Sequence, residues 1–130
     1  MSTAKLVLNK QGRYIPNKYE HDEIGALALF LAFHIKDEGF FFCEWLKNLG
    51  APDYYGNFCL IGFWVKDRIR IKMYFNNEQK ESKELEIRKN DLTKIVKTWM
   101  KLYKKKPKKI IIKLHKNKIT INDITVLSFK

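Results

Sequence analysis

At 130 residues the chain fits one domain, long enough to bury a core without disulfide or metal staples. Its 45% hydrophobic and 14% aromatic content is that of a folded chain and excludes a wholly disordered one. The net charge of +12 is unevenly placed: residues 1–65 carry 6 Lys or Arg against 7 Asp or Glu, net −1, and residues 66–130 carry 20 against 7, net +13. Such a basic half favours an acidic partner, whether nucleic acid, an anionic membrane surface or an acidic protein face. The plain alternative is that the lysines only solvate exposed helix and strand faces.

In chain order, residues 5–9 read as a short strand, and Gln11-Gly12 turns it into a second extended piece at 13–15, ended by Pro16. Asp22 or Asn17 then opens a helix over 22–36 that is apolar on almost every side, from Ile24 through Phe30 to Ile35. It is too short to span a bilayer, which takes about 20 apolar residues, so it is either sandwiched in the core, the favoured place, or offers one apolar face to a partner. Gly39 breaks this helix, and Phe40, Phe41, Phe42, Trp45, Leu46 and Leu49 suggest a second helix closed by Gly50 and Pro52. The loop at 51–57 holds Tyr54 and Tyr55 among turn residues, where exposed tyrosines suit an interface anchor.

Residues 58–65 are apolar throughout, as expected of a central strand covered on both faces. Lys66-Asp67 makes a tight connection to 68–75, where Ile69, Ile71, Met73 and Phe75 alternate with Arg68, Arg70, Lys72 and Tyr74. After a polar loop at 76–83, Leu85 and Ile87 alternate with Glu84, Glu86 and Arg88, so the two glutamates can face Arg70 or Lys72 across the sheet.

The clearest helix follows. Leu92, Ile95, Val96, Trp99, Leu102 and Tyr103 recur at spacings of three and four, with Lys94, Lys97 and Lys101 opposite. Asn90 or Asp91 is the expected cap, and Pro107 ends the helix. Residues 109–114 and 118–121 form strands joined by His115-Lys116-Asn117, and 124–129 adds another. The expected fold is therefore α+β and a single domain over 1–130: an antiparallel sheet of about five strands with two or three helices packed mainly on one face.

Cys43 and Cys59 sit in apolar surroundings without a C-x-x-C pair, which points to buried free thiols in a reducing compartment. The start MSTAKLVLNK lacks the apolar run and small-residue cleavage site of a signal peptide, so a cytoplasmic location is expected. His21, His34 and His115 are isolated from one another and from the cysteines at any metal-ligand spacing. No G-x-S-x-G, Gly-rich phosphate loop or Cys-His nucleophile context is present. These readings give no catalytic residue, metal ligand or cofactor, and the expectation is a binding protein rather than an enzyme.

Nucleic-acid binding satisfies the electrostatic part of the pattern. Residues 88–118 hold twelve lysines and one arginine, however, whereas bidentate recognition of bases and phosphates favours arginine. Trp99 and Tyr103 also fall on the apolar helix face rather than where bases stack. Membrane adsorption is weakened because the basic helix turns its apolar side to the sheet.

The layout as a whole resembles the small cytoplasmic immunity proteins that accompany contact-dependent growth-inhibition and related polymorphic toxins of bacteria. It rests on the Tyr-Ile-Pro-Asn-Lys-Tyr entry at 14–19, the Asp-Glu-Ile opening at 22–24, the loop at 53–57 and the Ile-rich strands, and covers residues 14–122. The resemblance implies a non-catalytic protein that binds one cognate toxin domain, often a nuclease, in a stoichiometric complex. Nucleic-acid mimics are usually acidic and this chain is basic, so the implied toxin presents an acidic surface or is met away from a cationic active site. The residues expected to meet the partner are Lys94, Lys97, Lys101, Arg68, Arg70 and Lys72 for charge, with Tyr54 and Tyr55 as anchors.

Overall fold

A computed structural model of the chain describes residues 2–18, 22–48, 59–65, 68–75, 80–81, 85–116, 118–122 and 124–128, and for residues 45, 48, 59–65, 68, 72–75 and 80–81 it describes the backbone alone. The expected anchors Tyr54 and Tyr55, the connection at 66–67, the helix stop at Gly50 and Pro52, and Glu84 lie outside the described residues.

The chain opens with β1 (Ser2–Leu8) and β2 (Tyr14–Pro16), paired antiparallel with Val7 opposite Ile15. Their turn is closed locally. The Asn9 side-chain oxygen accepts from the backbone N–H of Gln11 at 3.0 Å and of Arg13 at 2.9 Å, and Gly12 takes φ +79°, which suits a residue without Cβ.

Helix α1 (Glu23–Leu29) begins where Asp22 caps it, its carboxylate accepting from Gly25 N–H at 2.8 Å. The expected long helix is present but changes pitch: Phe30–Ile35 is a π-helical turn, closed by Lys36 N–H donating to Leu31 carbonyl at 2.9 Å. Lys36 ends it at φ 48°, and its carbonyl accepts from Trp99 Nε1 at 2.8 Å. The break thus falls at Lys36 rather than at Gly39, which instead begins α2 (Gly39–Asn48). Every residue from Ile24 to Ala32 is buried, in agreement with a core position for this segment.

Strands β3 (Cys59–Val65) and β4 (Arg68–Phe75) form the expected hairpin, with a register shift between Phe63 and Val65. The centre of their sheet differs from expectation. Among the described residues β3 pairs with β4 alone, whereas β4 also takes β5 (Lys80–Glu81) and β6 (Leu85–Arg88) on its other side. An apolar run reports burial, not position in a sheet, and the strands at 80–81 and 85–88 both pair with β4. The polar segment at 76–83 therefore contributes a short strand rather than loop alone.

Helix α3 (Lys89–Lys105) follows β6 directly, and this moves its cap. Arg88, still extended, takes the cap position without a side-chain bond, while Asn90 and Asp91 sit in the first turn. Asp91 there complements the positive end of the helix dipole. Lys106 closes the helix in the left-handed conformation before Pro107. Strands β7 (Lys109–His115), β8 (Lys118–Ile121) and β9 (Ile124–Ser128) complete the chain.

The fold is α+β. A five-stranded antiparallel sheet runs in the order β2-β1-β7-β8-β9, and a second sheet is centred on β4. Helix α1 lies against β1 and β7 of the first sheet and against β4 and β6 of the second, so both sheets share one core. Leu6, Ile110, Ile112, Ile119 and Ile121 enter it from the first sheet, and Ile69, Ile71, Leu85 and Ile87 from the second. Trp99 is its largest fully buried side chain among the described residues, meeting Tyr14 edge-on at 5.7 Å. Tyr14 in turn donates its hydroxyl to the Pro107 carbonyl, tying β2 to the exit of α3.

Candidate partner-binding surface

Helix α3 divides its sequence cleanly. Leu92, Ile95, Val96 and Trp99 are buried, and Lys94, Lys97 and Lys101 are exposed in a row along its solvent side. None of these three lysines forms an ion pair among the described residues, in contrast to the exposed Lys47, which reaches Glu44 at 3.4 Å. Their ammonium groups are therefore open to an incoming anion.

Helix α2 packs antiparallel beside α3. At one end Gly39 lies so close to α3 that a Cβ there would stand 2.5 Å from Met100 Cγ and 2.9 Å from Val96 Cγ1. At the other, Lys89 Nζ donates to the Lys47 carbonyl at 3.4 Å. Phe42, Cys43 and Leu46 face the core, leaving Phe40, Phe41, Glu44 and Lys47 outside. Phe40 and Phe41 are 71% and 73% exposed, with ring centres 6.2 Å apart in an edge-on arrangement. Close packing of Gly39 on Val96 and Met100 brings the start of α2 against the middle of α3.

The sequence places these phenylalanines in a helix without assigning them a face. A signal was nevertheless present. Residues 39, 42, 43 and 46 have the three- and four-residue spacing of a buried stripe, whereas Phe40 shares its face with Glu44 and Lys47.

Arg70 belongs to a different place. Its neighbours Ile69 and Ile71 point into the core, and the strand register sets Arg70 directly opposite Glu86. That juxtaposition agrees with the expected pairing of Glu86 across the sheet and removes Arg70 from the open cationic row. Arg68 stands opposite Arg88 and Lys72 opposite Leu60 in register.

Burial raises the pKa of the Cys43 thiol, although Lys97 and Lys47 pull it the other way, and the side chain is a buried free thiol. Burial, then Lys36, hold the His34 imidazole below its ordinary value, and its ring stacks on Phe30 at 6.1 Å. Among the described residues no three His, Cys, Asp or Glu side chains gather where they can hold a metal ion, and no helix is long and apolar enough to cross a membrane. Comparison with protein-family models, curated proteins and solved structures finds no match to this chain.

Proposed function

We propose that this chain is an immunity-type protein that neutralises a cognate toxin domain, in the cytoplasm, by forming a stoichiometric complex, and that it meets the toxin with the exposed faces of α2 and α3. The observation that supports the reading is the pair Phe40 and Phe41, both more than two-thirds exposed on α2, with the exposed row Lys94, Lys97 and Lys101, without an ion pair among the described residues, on the helix packed against it. Large exposed aromatics cost solvation in the free protein and supply most of the affinity once a partner's pocket covers them. Lysines around them act mainly on encounter rate and partner choice, drawing in an acidic surface. The complementary toxin face is therefore acidic, with apolar hollows for the two rings.

The reading is tested by titrating the chain calorimetrically with the toxin domain encoded by the adjacent reading frame. One-to-one binding is expected. Phe40→Ala with Phe41→Ala should weaken it about thirtyfold or more, roughly 2 kcal/mol, while Lys97→Glu with Lys101→Glu should slow association about tenfold at low salt. Absence of binding by the native chain would sink the immunity assignment, and unchanged affinity of the phenylalanine variant would remove this face from it.

A further inference from the structure

The first sheet has a second side. Its inner positions, Leu6, Ile110, Ile112, Ile119 and Ile121, point to the helices, so strand alternation sends the intervening positions outward. Lys5 of β1, Lys109 and Lys113 of β7 and Lys118 of β8 all fall there. Lys5 stands opposite Ile111, which makes Lys109 and Lys113 its two diagonal neighbours, and Lys113 stands opposite Thr120, which makes Lys118 a diagonal neighbour of Lys113. The four thus follow one another across three strands at steps of about 7–8 Å.

No carboxylate occupies an outward position of this sheet among the described residues, and none of the four lysines forms an ion pair there. Diagonal like charges repel, and a bound external anion relieves them. Thr3 and Thr120 stand opposite Lys113 on its two sides and Thr125 opposite Thr120, with Ile111 opposite Lys5, and threonine hydroxyls donate to phosphate oxygens as readily as they bind water. A regular file of cations with interleaved hydroxyls matches a linear, evenly charged polymer better than the irregular face of an acidic protein.

We propose that this outer face binds the sugar–phosphate backbone of nucleic acid. No Phe, Tyr or Trp occupies an outward position of β1, β7 or β8 among the described residues, and the one imidazole, His115, stands at the end of the file opposite Lys118, so there is no platform for successive bases and the contact is independent of sequence. The site shares no residue with the α2–α3 surface and stands or falls separately from the toxin-binding reading.

The test is fluorescence anisotropy with labelled single-stranded DNA and RNA 20-mers of two unrelated sequences over a sodium chloride series. Lys5→Gln with Lys113→Gln removes two charges from the sheet, and Lys97→Gln with Lys101→Gln removes two from α3, leaving the same net charge. The sheet pair should weaken binding tenfold or more at low salt and reduce the steepness of the salt dependence, whereas the helix pair should change affinity less than threefold. Lys109→Gln with Lys118→Gln, both at exposed positions, should repeat the sheet result should the first pair disturb folding. Equal loss in the helix pair, no loss in either sheet pair, a tenfold preference between the two sequences, or equal competition by polyglutamate at matched charge would each overturn the assignment.

Discussion

The solvent side of α3 and the outer side of the five-stranded sheet are both built on lysine, yet they stand on different ground. On α3 the charges form a single row, and the neighbouring helix adds two exposed phenylalanine rings. On the sheet they are spread over three strands among threonines, with no phenylalanine, tyrosine or tryptophan beside them among the described residues. The same ammonium group can tune encounter with a shaped protein surface in one setting and track a uniform polyanion in the other. Charge alone therefore does not assign a function to the basic half; what stands between the charges does.

The comparison is broken most violently from underneath. Trp99 is fully buried, packs on Tyr14 at 5.7 Å and Tyr103 at 5.7 Å, and donates to the Lys36 carbonyl. Trp99→Ala leaves a cavity between α3 and the first sheet and an unpaired carbonyl at the end of the π-helical turn. A loss of about 3–5 kcal/mol is expected in urea unfolding, and both surfaces should fail together.

Replacing Phe40 and Phe41 by alanine separates the surfaces instead. Affinity for a protein partner should fall by about 2–4 kcal/mol, while the unfolding midpoint and nucleic-acid retention stay nearly unchanged, because exposed side chains contribute little to folding. Gly39→Ala is a subtler wedge. Its Cβ would meet Met100 and the stiff Val96 side chain below van der Waals distance, so α2 must ride up from α3. About 1–3 kcal/mol of stability should be lost, with partner affinity falling while the sheet face is spared.

The smallest expected effect is that of pH. The folded-state pKa of His34 lies below its ordinary value of 6.5 because of burial and Lys36. Above that value the imidazole is neutral in both states and its contribution to stability is fully present. As pH falls below it, the unfolded chain takes up the proton first, and stability declines down through the lowered folded pKa. Urea midpoints at pH 7.5 and 5.0 should differ less in His34→Gln than in the native chain.

Legibility in the sequence follows the range of each interaction. Helix α3 was readable because its stripe and its stop at Pro107 are local, and the β3–β4 hairpin because β4 alternates without a break. The division into two sheets was not, since β1 finds β7 across the whole chain, Leu6 opposite Ile110, with no local trace of that pairing. The cap of α3 was misplaced for another reason: β6 runs into the helix without a loop, so Arg88 has the extended conformation that a capping Asn or Asp usually supplies. A π-helical finish to the segment from 22 to 36 left no mark either, as residues apolar on every side give no periodicity to lose. At the surface, the lysine row was legible, whereas the Phe40–Phe41 pair showed only through the spacing of 39, 42, 43 and 46, a short stripe masked by the run of three phenylalanines.

Hydroxyl-radical footprinting of the chain alone and in its toxin complex tests the central claim most directly, because phenylalanine oxidation reports ring exposure. Phe40 and Phe41, open in the free protein, should lose most of their oxidation in the complex. Unchanged oxidation of both rings in a saturated one-to-one complex would place the contact elsewhere and contradict the account.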